Sequence, residues 1–218
     1  TGFIYRVSVA GGLTMAARLC WIHFSSYSLS VIGLFLLMGQ FAFNSGMSRR
    51  LYESAHDWLG HMRGGLAMAT IGACAGFAAV CGSSVATAAT LGEVALPEMK
   101  KRNYDPALAT GCVAAGGTMG ILIPPSGILI IYGIMTEQSI GKLFAAGFLP
   151  GILEAILYII TVAIICRRNP NLGPRGPKTP LNMRLKGLWG GTIETISIFI
   201  LVLGGLFAGF FTPTEAGG

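Results

Sequence analysis

The chain has 218 residues, of which 53% are hydrophobic and 11% charged, with a formal net charge of +6 and a mean hydropathy of +0.67. A soluble domain carries about 25% charged residues, so this composition excludes one and predicts an all-α integral membrane protein living in a lipid bilayer. Nucleic-acid binding is excluded as well, because Lys and Arg fall in short clusters at the ends of apolar segments, which is the positive-inside distribution.

The chain opens at Thr1 and stops at Gly217-Gly218, soon after an apolar segment, so a piece of a longer protein is expected. Residues 1–26 give no clean span. Residues 28–47 are long enough to cross about 30 Å of hydrocarbon as a helix, and they end at Ser48-Arg49-Arg50. From Arg49 to Met62, Leu51, Ala55, Trp58 and Leu59 fall near one helical face, which predicts an amphipathic helix on the membrane surface. Residues 1–63 are therefore expected to form an N-terminal scaffold part.

Residues 64–99 are apolar but interrupted at Gly82-Ser83-Ser84, and basic residues flank them on both sides (Arg63, then Lys100-Lys101-Arg102). Neither half reaches the ~20 residues of a spanning helix. A re-entrant hairpin is expected, entering and leaving by the cytoplasmic face, with its tip at the Gly-Ser-Ser. Asp105 then suits an N-cap, with Pro106 at the first helical position. The next segment, 106–134, is broken at Pro124-Pro125, whose rings obstruct a helix and whose nitrogens donate nothing. Residues 64–142 are thus a transport part made of the hairpin and a proline-broken helix.

Residues 143–166 are a full span closed by Arg167-Arg168. The stretch 167–189 is read as a basic cytoplasmic linker; its first 20 residues hold six basic residues, four prolines and no acid. A further span covers 190–211 within a last segment, 190–218. Placing 49–63, 100–102 and 167–186 inside accounts for 12 of the 15 Lys and Arg, with Lys142 at the outer end.

Paired helix breaks at membrane depth point to the binding site of a secondary transporter, because lipid satisfies no freed backbone group. At the first break, Ser83, Ser84, Thr87 and Thr90 bring hydroxyls, and the helix that starts there aims its N-terminal dipole at mid-membrane, which favours an anion. The half-helices ending near Cys81 and Ile123 present carbonyl oxygens, which suit a hard cation such as Na⁺. Packing alone is the competing reading, since Ser, Thr and Gly also serve close helix contact.

Other chemistry is sparse. Glu154 and Glu93 are the intramembrane acids that could relay protons. The five cysteines (20, 74, 81, 112, 166) read as small buried hydrophobes, and His23, His56 and His61 form no metal pattern. No G-x-S-x-G elbow, Ser-His-Asp set, H-E-x-x-H or P-loop is present, so neither an enzyme, an organic cofactor nor ATP is implied.

Gly82-Ser-Ser-Val-Ala-Thr-Ala-Ala-Thr, Leu96-Pro-Glu-Met, Tyr104-Asp-Pro-Ala-Leu-Ala-Thr, Ile123-Pro-Pro-Ser and Glu137-Gln-Ser-Ile-Gly resemble the large membrane subunit of TRAP (tripartite ATP-independent periplasmic) transporters. Phe35-Leu-Leu-Met-Gly39, Gly64-Gly-Leu-Ala and Phe211-Thr-Pro-Thr-Glu-Ala216 fit in the same order. The resemblance implies a multi-pass protein of a bacterial or archaeal inner membrane, built as one repeat of an inverted-repeat, elevator-type symporter, with a second repeat opening near Gly190. It implies Na⁺-coupled uptake of a small organic acid, such as a dicarboxylate, handed over by a periplasmic binding protein, with a small four-helix membrane subunit as partner. Substrate would lie near Ser83, Ser84, Thr87, Pro124 and Ser126. By the same resemblance, Na⁺ would be held by backbone carbonyls at Ala78, Cys81, Gly120, Ile123 and Pro125. Ala78 and Cys81 stand where many members have Ser, and Gly33 where Pro is common. The alternatives are a stand-alone sodium/dicarboxylate-type symporter and a membrane scaffold without transport.

Overall fold

A computed structural model describes residues 8–24, 27–177 and 179–217, and all regular structure among them is helical. The chain runs through α1 (Val9–Phe24), α2 (Tyr27–Asn44), α3 (Met47–Leu59), α4 (Gly65–Cys81), α5 (Ser84–Lys101), α6 (Pro106–Leu122), α7 (Gly127–Met135) and α8 (Ile140–Arg168). A C-terminal run follows: α9 (Leu181–Gly187), α10 (Ile193–Phe199) and α11 (Gly205–Phe207), joined by π-helical turns at Leu188–Thr192 and Ile200–Gly204. α12 (Pro213–Gly217) closes the described chain.

Three stretches are long and apolar enough to cross a membrane: Pro106–Met135, Ile140–Arg168 and Asn182–Phe207. Val31–Asn44 joins Met47–Leu59 across a 62° bend. The protein is therefore an all-α membrane protein, as its composition predicts.

α4 sits at the centre, buried along almost its whole length, with Leu66, Met68, Ile71, Cys74, Phe77 and Ala78 at 1% exposure or less. A helix that is apolar all round belongs inside a bundle, and α3, α5, α6 and α8 surround it. A second apolar cluster joins α2, α7, α8 and the C-terminal run through Val31, Phe35, Ile130, Phe144, Val202 and Leu203. In it, Phe35 and Phe144 meet edge to face at 6.2 Å, a favoured aromatic geometry.

α4 and α5 form a helical hairpin. Tyr104, just past α5, accepts a hydrogen bond from Leu66 N–H at the start of α4 (3.1 Å) and donates to the Pro174 carbonyl (3.0 Å). The chain thus returns to the end at which it entered.

α3 packs Leu51 into the core with Ala55 and Leu59 beside it, as the apolar face suggests, while Trp58 stays 40% exposed. Its buried face is wider than that stripe and takes in Met47, Ser48, Tyr52 and Ser54. The cause is that α3 is gripped from two sides. α4 covers one flank; on the other, Arg50 pairs with Glu194 (2.6 Å) and the Ser54 hydroxyl meets that of Thr192 (2.8 Å). The basic stretch is also shorter as a linker than its composition suggests, because helix resumes at Leu181. Proline punctuation ends at Pro180, and Leu181–Gly187 holds no proline to obstruct a helix.

Candidate functional site

α4 ends because Gly82 turns left-handed (φ +62°), its N–H donating to the Ala78 carbonyl at 3.0 Å. Only glycine adopts that conformation without a Cβ penalty. Ser83 is extended and caps α5, its Oγ accepting from Ala86 N–H at 3.4 Å. At the second break α6 stops at Leu122, and extended Ser126 precedes α7. Since Pro124 and Pro125 carry no N–H, the Gly120 and Ile121 carbonyls lose their helical donors.

The two breaks touch. The Gly127 N–H donates to the Gly82 carbonyl at 3.3 Å. A Cβ on Gly82 would collide with the Pro125 carbonyl oxygen, and one on Gly120 would lie 2.7 Å from the Ser83 carbonyl carbon. One turn earlier, a Cβ on Gly117 would stand 2.7 Å from that of Ala88. This close approach of α6 to α5 therefore depends on glycine. Four half-helix ends meet here: the C-termini of α4 and α6 and the N-termini of α5 and α7. The first pair offers carbonyl oxygens, and the second offers N–H groups and positive dipole ends.

Of the residues expected near substrate, Ser83 and Ser84 are half-buried at the tip, while Thr87, Pro124 and Ser126 are buried. The hydroxyls of Thr87, Thr90 and Ser126 are buried without a hydrogen-bond partner among the described residues. A buried polar group left unpaired costs roughly 1–3 kcal/mol, so three in one region call for a ligand or water. Ser83 is different, because its hydroxyl already serves its own helix.

Of the expected cation ligands, the carbonyls of Cys81, Gly120, Ile123 and Pro125 accept no backbone hydrogen bond among the described residues, and that of Ala78 accepts one from Gly82. A carbonyl oxygen has two lone pairs, so Ala78 retains one. Such a set of oxygen donors fits a small hard cation held by unwound backbone.

Sequence reasoning missed two features here. Gly39 of α2 faces the tip closely enough that its Cβ would lie 3.1 Å from the Cys81 carbonyl oxygen. Glu154 is also not isolated: Thr118 of α6 donates to its Oε1 at 2.9 Å and meets the Tyr158 hydroxyl at 3.3 Å, while Oε2 is buried and unpaired. The i, i+4 spacing of Glu154 and Tyr158 was the available signal. Glu93 is exposed and lines a cavity of about 450 Å³ with Arg49, Glu53, His56, Glu98 and Arg102. There the neighbouring Lys101 holds the Glu98 carboxyl below the usual range. The side chain of His23 lies outside the described set, and no metal-binding group of His, Cys, Asp and Glu occurs among the described residues.

The sequence model of the family described as "Tripartite ATP-independent periplasmic transporter, DctM component" matches residues 2–218. Among similar proteins, the C4-dicarboxylate TRAP transporter large permease protein DctM of Pseudomonas aeruginosa is 42% identical over 194 residues, 87% of this chain and 44% of its own length. The isethionate TRAP transporter permease protein DctMQ of Oleidesulfovibrio alaskensis is 34% identical over 215 residues, covering 96% of this chain and 33% of that protein. The sialic acid TRAP transporter permease protein SiaT of Haemophilus influenzae is 35% identical over 194 residues, 88% of this chain and 30% of that one. The chain thus spans less than half the length of these curated relatives. With a match along nearly its whole sequence and the two helix breaks in contact, the chain belongs to the DctM family of tripartite ATP-independent periplasmic transporters, membrane permeases of the inner membrane rather than enzymes.

Proposed function

We propose that this protein takes part in Na⁺-coupled uptake of a small organic acid, received from a periplasmic binding protein and moved inward beside a small four-helix membrane subunit. The observation that carries the reading is the docking of the hairpin tip on the proline break, which puts free carbonyls and helix N-termini at one place. The carbonyls of Ala78, Cys81, Gly120, Ile123 and Pro125 would hold the cation. Bound there, Na⁺ supplies a positive charge that ties tip to break and favours an anion next to it.

The chain's own groups do the rest. The N-termini of α5 and α7 point partial positive charge at a carboxylate. Thr87 and Ser126 contribute hydroxyls with no partner among the described residues, and Ser83, Ser84 and Pro124 would lie beside the substrate. A carboxylate bound by preformed dipoles needs no buried Lys or Arg, and the tip and break segments, 78–90 and 117–130, contain none.

The named relatives carry a C4-dicarboxylate, isethionate and sialic acid, all of them acids. The shared feature is the anionic group, which is what helix N-termini recognise. We assign this chain to organic acids as a class. The DctMQ name of one relative joins two components in one protein, which supports a small membrane partner.

The test is uptake in proteoliposomes with the small subunit and the binding protein, across a panel of labelled acids. Uptake that needs both an inward Na⁺ gradient and the binding protein is expected. Na⁺-driven uptake without the binding protein would point instead to a stand-alone symporter, and no uptake of any acid to a scaffold.

A further inference from the structure

The turn between α3 and α4 carries His61, Met62 and Arg63, and α8 ends in Arg167-Arg168 close beside it. The chain beyond α8 then folds back over both. Gly64 N–H donates to the Gly173 carbonyl (2.9 Å), the Tyr104 hydroxyl to Pro174 (3.0 Å), and Gly176 N–H to Gly60 (3.0 Å). Arg175 is thereby pinned from both sides rather than carried on a loose linker.

The product is a cavity of about 390 Å³ lined by His61, Met62, Arg63, Met68, Ala163, Arg167 and Arg175. It holds three guanidinium groups and an imidazole, and no acid. Arg63, Arg167 and Arg175 make no ion pair among the described residues, and Nδ1 of His61 is buried without a partner. Arg63, Arg167 and Arg175 are exposed, so water screens their mutual repulsion, and together they attract an anion placed among them. A planar guanidinium is the group that best matches phosphate oxygens.

The position narrows the anion further. By the positive-inside distribution this is the cytoplasmic end of α8. Arg167 lies on the helical face of Leu153, Ile156, Ile160 and Ile164 (spacing 3, 4, 4 and 3), and these four are 46–55% exposed. An apolar track thus climbs α8 and ends at the basic cavity, which is the outline of a phospholipid: acyl chain along the helix, headgroup among the arginines. Met62 and Met68 supply adaptable apolar walls at the junction.

We propose that this cavity is a binding site for the phosphate of an anionic phospholipid of the cytoplasmic leaflet. The site is distinct from the hairpin tip and does not depend on the transport reading. Occupied, it would tie α8 to the α3–α4 turn and so fix the base of the hairpin.

The purified protein in detergent would be titrated with phosphatidylglycerol, phosphatidylcholine and inorganic phosphate, and bound adducts counted by native mass spectrometry. Phosphatidylglycerol should bind more tightly than phosphatidylcholine, and Arg63→Gln, Arg167→Gln and Arg175→Gln should each weaken it roughly fivefold. The corresponding Lys substitutions should lose less. Lys100→Gln and Lys142→Gln, exposed and outside the cavity, should change nothing. Arg175 lies in an irregular segment, so Arg175→Gln tests the site without endangering a helix. Equal binding of the two lipids, or a preference untouched by Arg175→Gln and Arg167→Gln, would overturn the proposal. Saturable phosphate binding lost in the same variants, with no lipid preference, would overturn the lipid source.

Discussion

Gly82 carries two constraints at once. Its left-handed φ of +62° would cost a side chain about 1–2 kcal/mol, and its missing Cβ makes room for the Pro125 carbonyl. Gly82→Ala should therefore separate tip from break and abolish uptake, with a lowered unfolding temperature as the accompanying sign. Thr87 makes the opposite case. Its hydroxyl is buried and unpaired, so Thr87→Val removes a cost of roughly 1–3 kcal/mol from the folded state. Thermal unfolding should hold or rise while uptake falls; unchanged uptake would reduce Thr87 to packing. The sequence marked both residues, but not which hydroxyls are spent locally. Ser83 and Thr87 look alike on paper, and only the cap at Ala86 separates them. Gly39 was invisible as a site neighbour, because its closeness to Cys81 comes from packing between α2 and α4.

At the scale of elements, proline and glycine made the breaks legible, since both act on the backbone without reference to tertiary context. The N-cap of α6 was legible for the same reason: Asp105 Oδ1 accepts from the N–H groups of Ala107 and Leu108, both at 3.0 Å. Asp105→Ala should cost about 1 kcal/mol, read as a lower unfolding temperature with Na⁺ dependence intact. Replacing both Pro124 and Pro125 by Ala should do the reverse. It restores donors to the Gly120 and Ile121 carbonyls, so any Na⁺-induced rise in unfolding temperature should vanish while the fold persists. The second flank of α3 was not legible. Its Arg50–Glu194 and Ser54–Thr192 contacts join residues about 140 positions apart, and a helical wheel holds no such information.

For the whole molecule, charge placement predicts the orientation, and the described fold brings basic clusters to one end. The α3–α4 turn, the end of α5 and the segment beyond α8 lie together around Tyr104, all at the end assigned to the cytoplasm. In a Cys20→Ser background, a Cys placed at Lys142 should react with an impermeant thiol reagent added outside intact cells. One placed at Lys100 should react only after permeabilisation. The substrate was not legible at either level, because helix N-termini recognise a negative group and little else of an acid.

The central claim is that hairpin tip and proline break make one cation-dependent site. Cys81 reports on it directly: it is the last residue of α4, only 8% exposed, and its carbonyl is one of the free oxygens. The measurement is the rate at which a small neutral maleimide modifies Cys81 in the purified protein, resolved by peptide mass spectrometry, in NaCl against KCl and choline chloride. Slower modification in NaCl alone, with Cys20 reacting equally in all three salts, is the predicted result. Equal rates at Cys81 in the three salts would contradict it.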